Sequence, residues 1–200
     1  MRKIVYYVHQ SVDGYIHGPN GEFDWAHMGP ELSAYSFELT ERAGAFLYGR
    51  KVWELMSFYW PRAESMSEDP HDLAFAPIWR KMPKVVVSRT ITGAAEGARV
   101  IGGGDLAAEV TALKAEPGKD LLLTGGSRLA SALTALGLID EYVIVVHPVV
   151  LGGGQPVFLD AERLGLRLAE SRTFDGRSAL LRYERAQRGA GGGRPAAAAE

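Results

Sequence analysis

Apolar and polar positions alternate along this chain in two rhythms. Ile4 to Val8 is a continuous run of β-branched and aromatic residues, the pattern of a buried strand. The next stretch, SVDGYIHGPNGE, carries Asp-Gly, Gly-Pro and Asn-Gly pairs and predicts a mobile loop. Leu32, Tyr35, Leu39 and Ala43 recur three or four residues apart, predicting a helix opened by Pro30 and Glu31. AFLYG then reads as a second strand and RKVWELMSFYW as a helix stopped before Pro61. Between Pro61 and Pro77 the signals are mixed, and the polar ESMSEDPHD predicts an exposed excursion holding one helical turn. KVVVSR and ARVIG are the third and fourth strands, and Asp105 is placed to N-cap a helix reaching about Glu116. Leu121 to Thr124 forms a fifth strand, followed by Leu129, Leu133 and Leu136 at helical spacing. DEYVIVVHPVVLG is a sixth strand, bent near Pro148. LRLAESRTF and SALLRYER alternate around Asp175-Gly176, a hairpin signal. From residue 187 onward the Gly, Ala and Pro run offers nothing large and apolar to bury, which predicts a disordered tail over 187–200.

The resulting order, β-α-β-α-β-β-α-β-α-β and then a hairpin, predicts an α/β domain over residues 1–186. Its sheet is mostly parallel and mixed at the C-terminal end. Two hundred residues suffice for one such domain. A formal net charge of −2 argues against general attraction to nucleic acid or to anionic membranes. With no cysteine, disulfides, thiolate nucleophiles and Cys-based metal sites are all excluded, and the cytoplasm is the natural setting. The N-terminus lacks the apolar core of a signal peptide, and no apolar run of about 18 residues exists. Among the five histidines there is no HxH or HExxH spacing, so no metal site is expected. The dinucleotide motif GxGxxG after a strand, the P-loop and the GxSxG elbow are also absent.

What remains is a set of strand ends. In TGGS, Thr124, Gly125, Gly126 and Ser127 sit where a strand becomes a helix, where free backbone N–H groups and the helix dipole favour phosphate. Without a ligand, the same dipeptide is simply a tight turn. In LYGRKVWE, Gly49 ends a strand and Arg50 and Lys51 open the next helix, where cations oppose the dipole unless an anion joins them. Otherwise both side chains reach into water. In VVVSRT, Ser88 and Arg89 offer a hydroxyl and a forked guanidinium, a match for a phosphate monoester. In a parallel sheet all three strand ends face one edge.

These pieces, in this order, resemble the dihydrofolate reductase superfamily. With SVDGYIHG (11–18) and HPVVLGGGQPVF (147–158), they are most similar to the reductase domain of bacterial riboflavin biosynthesis, which reduces 5-amino-6-(5-phosphoribosylamino)uracil. The resemblance implies a three-layer dihydrofolate reductase-like fold and NADPH as cofactor. It places Gly125, Gly126 and Ser127 at the pyrophosphate, with Thr124 and Leu129 beside them, and often a strained or cis peptide between the glycines. It sets Gly49, Arg50 and Lys51 along the phosphates and Ser88 and Arg89 at the 2′-phosphate. Val8 and Ile16 come near the nicotinamide.

Asp13, from S-x-D-G, and Glu31, at the start of the first helix, are the catalytic candidates. Ala130 and Val145 depart from the folate enzymes, which puts folate as substrate in doubt. The resemblance also implies a homodimer acting on a small molecule. An NADPH-binding sensor or drug-sequestering protein without turnover is the alternative. Replacing Gly126 by Val is expected to abolish NADPH binding and leave much of the fold intact.

Overall fold

The computed structural model describes residues 1–91, 97–159 and 162–186. The tail expected over 187–200 lies outside the described residues. Strands β1 (Ile4–Ser11), β3 (Ala43–Gly49), β4 (Lys84–Val87), β5 (Arg99–Ile101), β6 (Asp120–Thr124) and β7 (Glu141–His147) run parallel. Strands β9 (Leu166–Phe174) and β10 (Ser178–Arg185) form the expected hairpin, and β10 joins β7 antiparallel. The eight strands lie in the order β5-β4-β3-β6-β1-β7-β10-β9.

Because β1 alternates its side chains, it feeds two cores. Val5 and Tyr7 join Leu32, Tyr35 and Leu39 of helix α1 (Pro30–Glu41) and Trp53 of α2 (Arg50–Tyr59). Ile4, Tyr6 and Val8 join Val110 and Leu113 of α5 (Leu106–Ala115) and Leu129 and Leu133 of α6 (Ser127–Ala135). The sheet is therefore the middle of three layers, as expected of a dihydrofolate reductase-like fold.

Three expectations fail. The stretch after Pro61 is not an exposed excursion with one turn. A 3₁₀ turn (Trp60–Arg62) and the short α3 (Ala63–Met66) lead into α4 (Pro70–Lys81), which buries Phe75, Ala76 and Trp79. Asp69 caps α4 by accepting from the His71 N–H at 2.8 Å, with Pro70 in the favoured first position. Pro77 inside α4 removes the N–H that would bond the Leu73 carbonyl.

The loop after β1 is not free either. Tyr15–His17 forms β2, paired antiparallel with β8 (Gln155–Pro156) in a second small sheet. Asp13 accepts from the N–H groups of Leu151 and Gly152 at 3.1 and 2.8 Å, and the Val157 N–H donates to the Gly14 carbonyl at 2.9 Å. Neither segment shows this alone, because the partner lies about 140 residues away. The chain at Pro148 therefore leaves the main sheet rather than bending within it.

Candidate functional site

All six parallel strands end on one edge, and the strand order puts β4, β3, β6 and β1 side by side. Ser88–Arg89, Gly49–Lys51 and Thr124–Ser127 thus leave consecutive strands. At about 4.8 Å per strand, the four ends span roughly 14 Å, the scale of a dinucleotide.

How the helix N-termini are satisfied singles out one point on this edge. Asp105 caps α5 through the Ala107 N–H at 2.9 Å, as its position predicts, and Asp69 caps α4. Helix α1 is capped from across the chain. The Asp175 carboxylate accepts from the N–H groups of Glu31 and Leu32 at 2.9 and 3.2 Å, while the Asp175 N–H donates to the Glu31 carboxylate. Helices α2 and α6 begin at Gly49 and Gly126 with no side-chain cap. Their first turns abut, since a Cβ on Gly126 would lie 2.8 Å from Val52 and one on Gly49 would lie 3.4 Å from Leu129. Two sets of orphan N–H groups therefore converge where β3 and β6 end, an arrangement whose exposed donors and dipoles favour negative charge.

Gly125 and Gly126 both have positive φ, at +59° and +71°, and the peptide bond between them is trans. A Cβ on Gly125 would meet nothing within 4 Å, so its open side faces away from protein. At Gly126 the Val52 contact and the positive φ together make Gly126→Val a folding lesion. The expectation that this substitution spares the fold is corrected on that ground.

The hydroxyl of Ser127, which is buried, donates to the Pro156 carbonyl, leaving its backbone N–H for a ligand. Thr124 is half-buried at the end of β6. The exposed Arg50 pairs with Glu54 at 3.6 Å, an arrangement weak enough to yield to a phosphate. Lys51 and Arg89 are exposed, with no ion-pair partner among the described residues. Ser88 accepts from the N–H groups of Thr90 and Ile91 at 3.2 and 3.0 Å, which shapes the turn that presents Arg89. The glycine run after β5 is already filled, because the Glu109 carboxylate accepts from Gly102 and Gly104.

On the next strand, Val8 is buried, and Ile16 of β2 packs half-buried against the same core. The N–H of Gly125 donates to the Tyr7 carbonyl at 3.1 Å, tying the glycine turn to β1. Two features here escape sequence reasoning. The side-chain carbonyl oxygen of Gln10 is buried with no partner, and so is the hydroxyl of Tyr7. An orphan buried acceptor of this kind is rare and calls for a partner.

The two candidate acids are both engaged. Asp13 carries the loop clasp described above, and the Ser11 hydroxyl, followed by those backbone N–H groups, holds its carboxyl below the usual range. Glu31 is locked to Asp175. His9 and His147, on neighbouring strands, meet with Nδ1 and Nε2 2.8 Å apart. Of the aromatic residues around the site, Trp25 reaches His147 with ring centres 5.6 Å apart, whereas Trp53 is core and stacks on Trp79. No group of three or more His, Asp or Glu among the described residues could hold a metal ion.

The family model of the RibD C-terminal domain matches residues 2–180. YyaP, an uncharacterized protein of Bacillus subtilis (strain 168), is 36% identical over 177 residues, 86% of this chain and 89% of its own length. Among solved structures, a Shewanella sp. PV-4 protein named for riboflavin biosynthesis is similar with a TM-score of 0.73 at 25% identity. The match covers 94% of this chain and 100% of that one. Two more distant structures share the fold. The deaminase/5-amino-6-(5-phosphoribosylamino)uracil reductase of Thermotoga maritima has a TM-score of 0.63 at 14% identity, covering 92% and 57% of the two chains. Dihydrofolate reductase of Enterococcus faecalis, complexed with NADP(H), has a TM-score of 0.58 at 14% identity, covering 92% and 97%.

Proposed function

This chain belongs to the RibD C-terminal domain family, and from that premise we propose that it is an NADPH-dependent reductase acting on a small heterocyclic, carbonyl or imine substrate. The observation that carries the reading is the pair of uncapped helix N-termini meeting at Gly49 and Gly126. Gly125, Gly126 and the Ser127 N–H would hold the diphosphate, with Gly49, Arg50 and Lys51 opposite and Thr124 and Leu129 behind. Ser88 and Arg89 would take the 2′-phosphate. The nicotinamide would lie against Val8 and Ile16, with Gln10 offering its orphan oxygen to the carboxamide. The cofactor supplies a hydride. The chain's part is to hold both partners in contact and to exclude water.

A homodimer in the cytoplasm completes the reading. No helix among the described residues is long and apolar enough to cross a membrane. NADPH binding by fluorescence, then NADPH oxidation with 5-amino-6-(5-phosphoribosylamino)uracil, pteridines and deazaflavin precursors, tests the proposal. Absence of NADPH binding refutes it. One observation favours a sensor or sequestering protein without turnover: Asp13 and Glu31 are both engaged by backbone N–H groups. Binding without oxidation of any acceptor would select that reading.

A further inference from the structure

If the protein is the reductase read above, hydride addition requires a proton, and neither Asp13 nor Glu31 is free to give one. We propose that His9 and His147 form a neutral two-ring proton relay that delivers it. The geometry sets the pair on the strand edge that carries the glycine turn. His9 lies near the end of β1 and His147 at the end of β7, with 2.8 Å between His9 Nδ1 and His147 Nε2. The glycine turn is hydrogen-bonded to Tyr7, two strand residues and about 7 Å from His9. Tyr7 packs on His9 and Trp25 on His147, with ring centres 4.9 and 5.6 Å apart. His147 is buried and His9 half-buried.

A neutral imidazole has one N–H and one bare nitrogen. Two such rings joined by a hydrogen bond share one inner proton, so one outer nitrogen carries a proton and the other is bare. The outer nitrogens, His9 Nε2 and His147 Nδ1, have no hydrogen-bond partner among the described residues. Desolvation, then the positive potential of His147 and His71, holds His9 down to about 3. Desolvation, then Arg177 and His27, holds His147 down to about 4. No carboxylate is among these neighbours, so both rings stay neutral at pH 7.

A hydride forms a C–H bond at the carbon of a C=N or C=O group, and the π electron pair moves to the heteroatom. The protonated outer nitrogen gives its proton to that heteroatom. The inner proton crosses the 2.8 Å bond to the ring just emptied, and the other ring takes one proton from solvent at its outer nitrogen. The substrate gains a hydride and a proton, the reduced nicotinamide is oxidised, and one solvent proton is consumed. The pair ends with reversed polarity and resets by exchanging its outer protons with water.

The test uses the full chain labelled with ¹⁵N-histidine, with NADPH and 5-amino-6-(5-phosphoribosylamino)uracil as probes. The expected spectra at pH 7 show each ring with one protonated and one bare nitrogen, and a coupling between the two inner nitrogens. His147→Gln keeps a hydrogen bond to His9 but cannot pass a proton. Turnover is expected to fall on the order of 100-fold or more in His147→Gln and in His9→Gln, with NADPH affinity unchanged. If the pair is only structural, His147→Gln retains the wild-type rate, and the relay is overturned while the reductase reading stands. Missing inner coupling in the wild-type spectra overturns the relay whatever the variants do. Wild-type protein that binds NADPH without turnover overturns the relay and favours the sensor. Failure to bind NADPH overturns both readings.

Discussion

Gly125→Asn separates ligand binding from folding. At Gly125, with φ of +59°, an added Cβ meets nothing within 4 Å, so its cost is backbone strain alone. A left-handed backbone costs an ordinary L-residue roughly 1–2 kcal/mol, and Asn tolerates it better than most. About 1 kcal/mol is therefore expected, or a Tm lower by about 2–4 °C in a chain of this size. If the N–H groups of the turn hold a diphosphate, the new side chain stands between them and the ligand. Losing two charge-assisted hydrogen bonds at about 1.5–3 kcal/mol each weakens NADPH binding about 100-fold or more. Gly176→Asn is the matched control, with φ of +61° and open space around the added Cβ, in a hairpin turn away from the cradle. Thermal melts and NADPH titrations of the two variants are the assay. If Gly125→Asn binds NADPH as wild type does, while both variants melt alike, the cradle is refuted.

Arg89→Ala is expected to weaken NADPH about tenfold or more and leave NADH nearly unchanged, as a lost charge-assisted phosphate contact requires. Equal loss for both nucleotides removes Arg89 from the 2′-phosphate. Asp175→Ala is expected to lower unfolding stability by about 1–3 kcal/mol in urea, by uncapping α1 and by placing Ala at a φ of +54°, with unchanged NADPH affinity. Stability is also expected to fall on acidification. His9 and His147 titrate in the folded state at about 3 and 4, below the ordinary 6.5, so the unfolded chain binds more protons between those values. Their contribution is complete above about pH 6.5 and is lost as pH falls toward 4, at up to about 1.4 kcal/mol per pH unit for each ring. Urea melts between pH 7 and 5 on wild type and on His9→Gln/His147→Gln measure this, and equal slopes refute it.

The sequence was most legible where one local signal sufficed. Runs such as Leu121–Leu123, the Asp105 cap and the Asp-Gly hairpin turn each name their element, and strand ends followed by Gly or by Ser-Arg mark the edge that matters. What it hid is pairing at a distance. Asp13 looks like a turn residue until Leu151 and Gly152 arrive to be bound, and Glu31 looks like a free acid until Asp175 caps its helix. Helix α4 is obscured by two local contradictions, a polar approach and the interior Pro77, which packing of Phe75 and Trp79 overrides. The His9–His147 contact has no signature in spacing, because it depends on β7 lying beside β1.

The clasp between the first loop and the GGGQP segment also bears on how the cleft exchanges its contents. Asp13, the β2–β8 pair and the Ser127 hydroxyl join the loop leaving β1, the segment after β7 and the first turn of α6. Gly154 fits here because any Cβ would lie 2.1 Å from the His17 carbonyl oxygen. A loop held this way does not flap independently. It is expected to open as one cooperative unit and, through the Ser127 contact, to loosen the start of α6, where the phosphates would bind. Entry and release would then share a single barrier, and the amides of Tyr15, Gly152 and Val157 would exchange with deuterium at one common rate, slowed together when the cleft is filled.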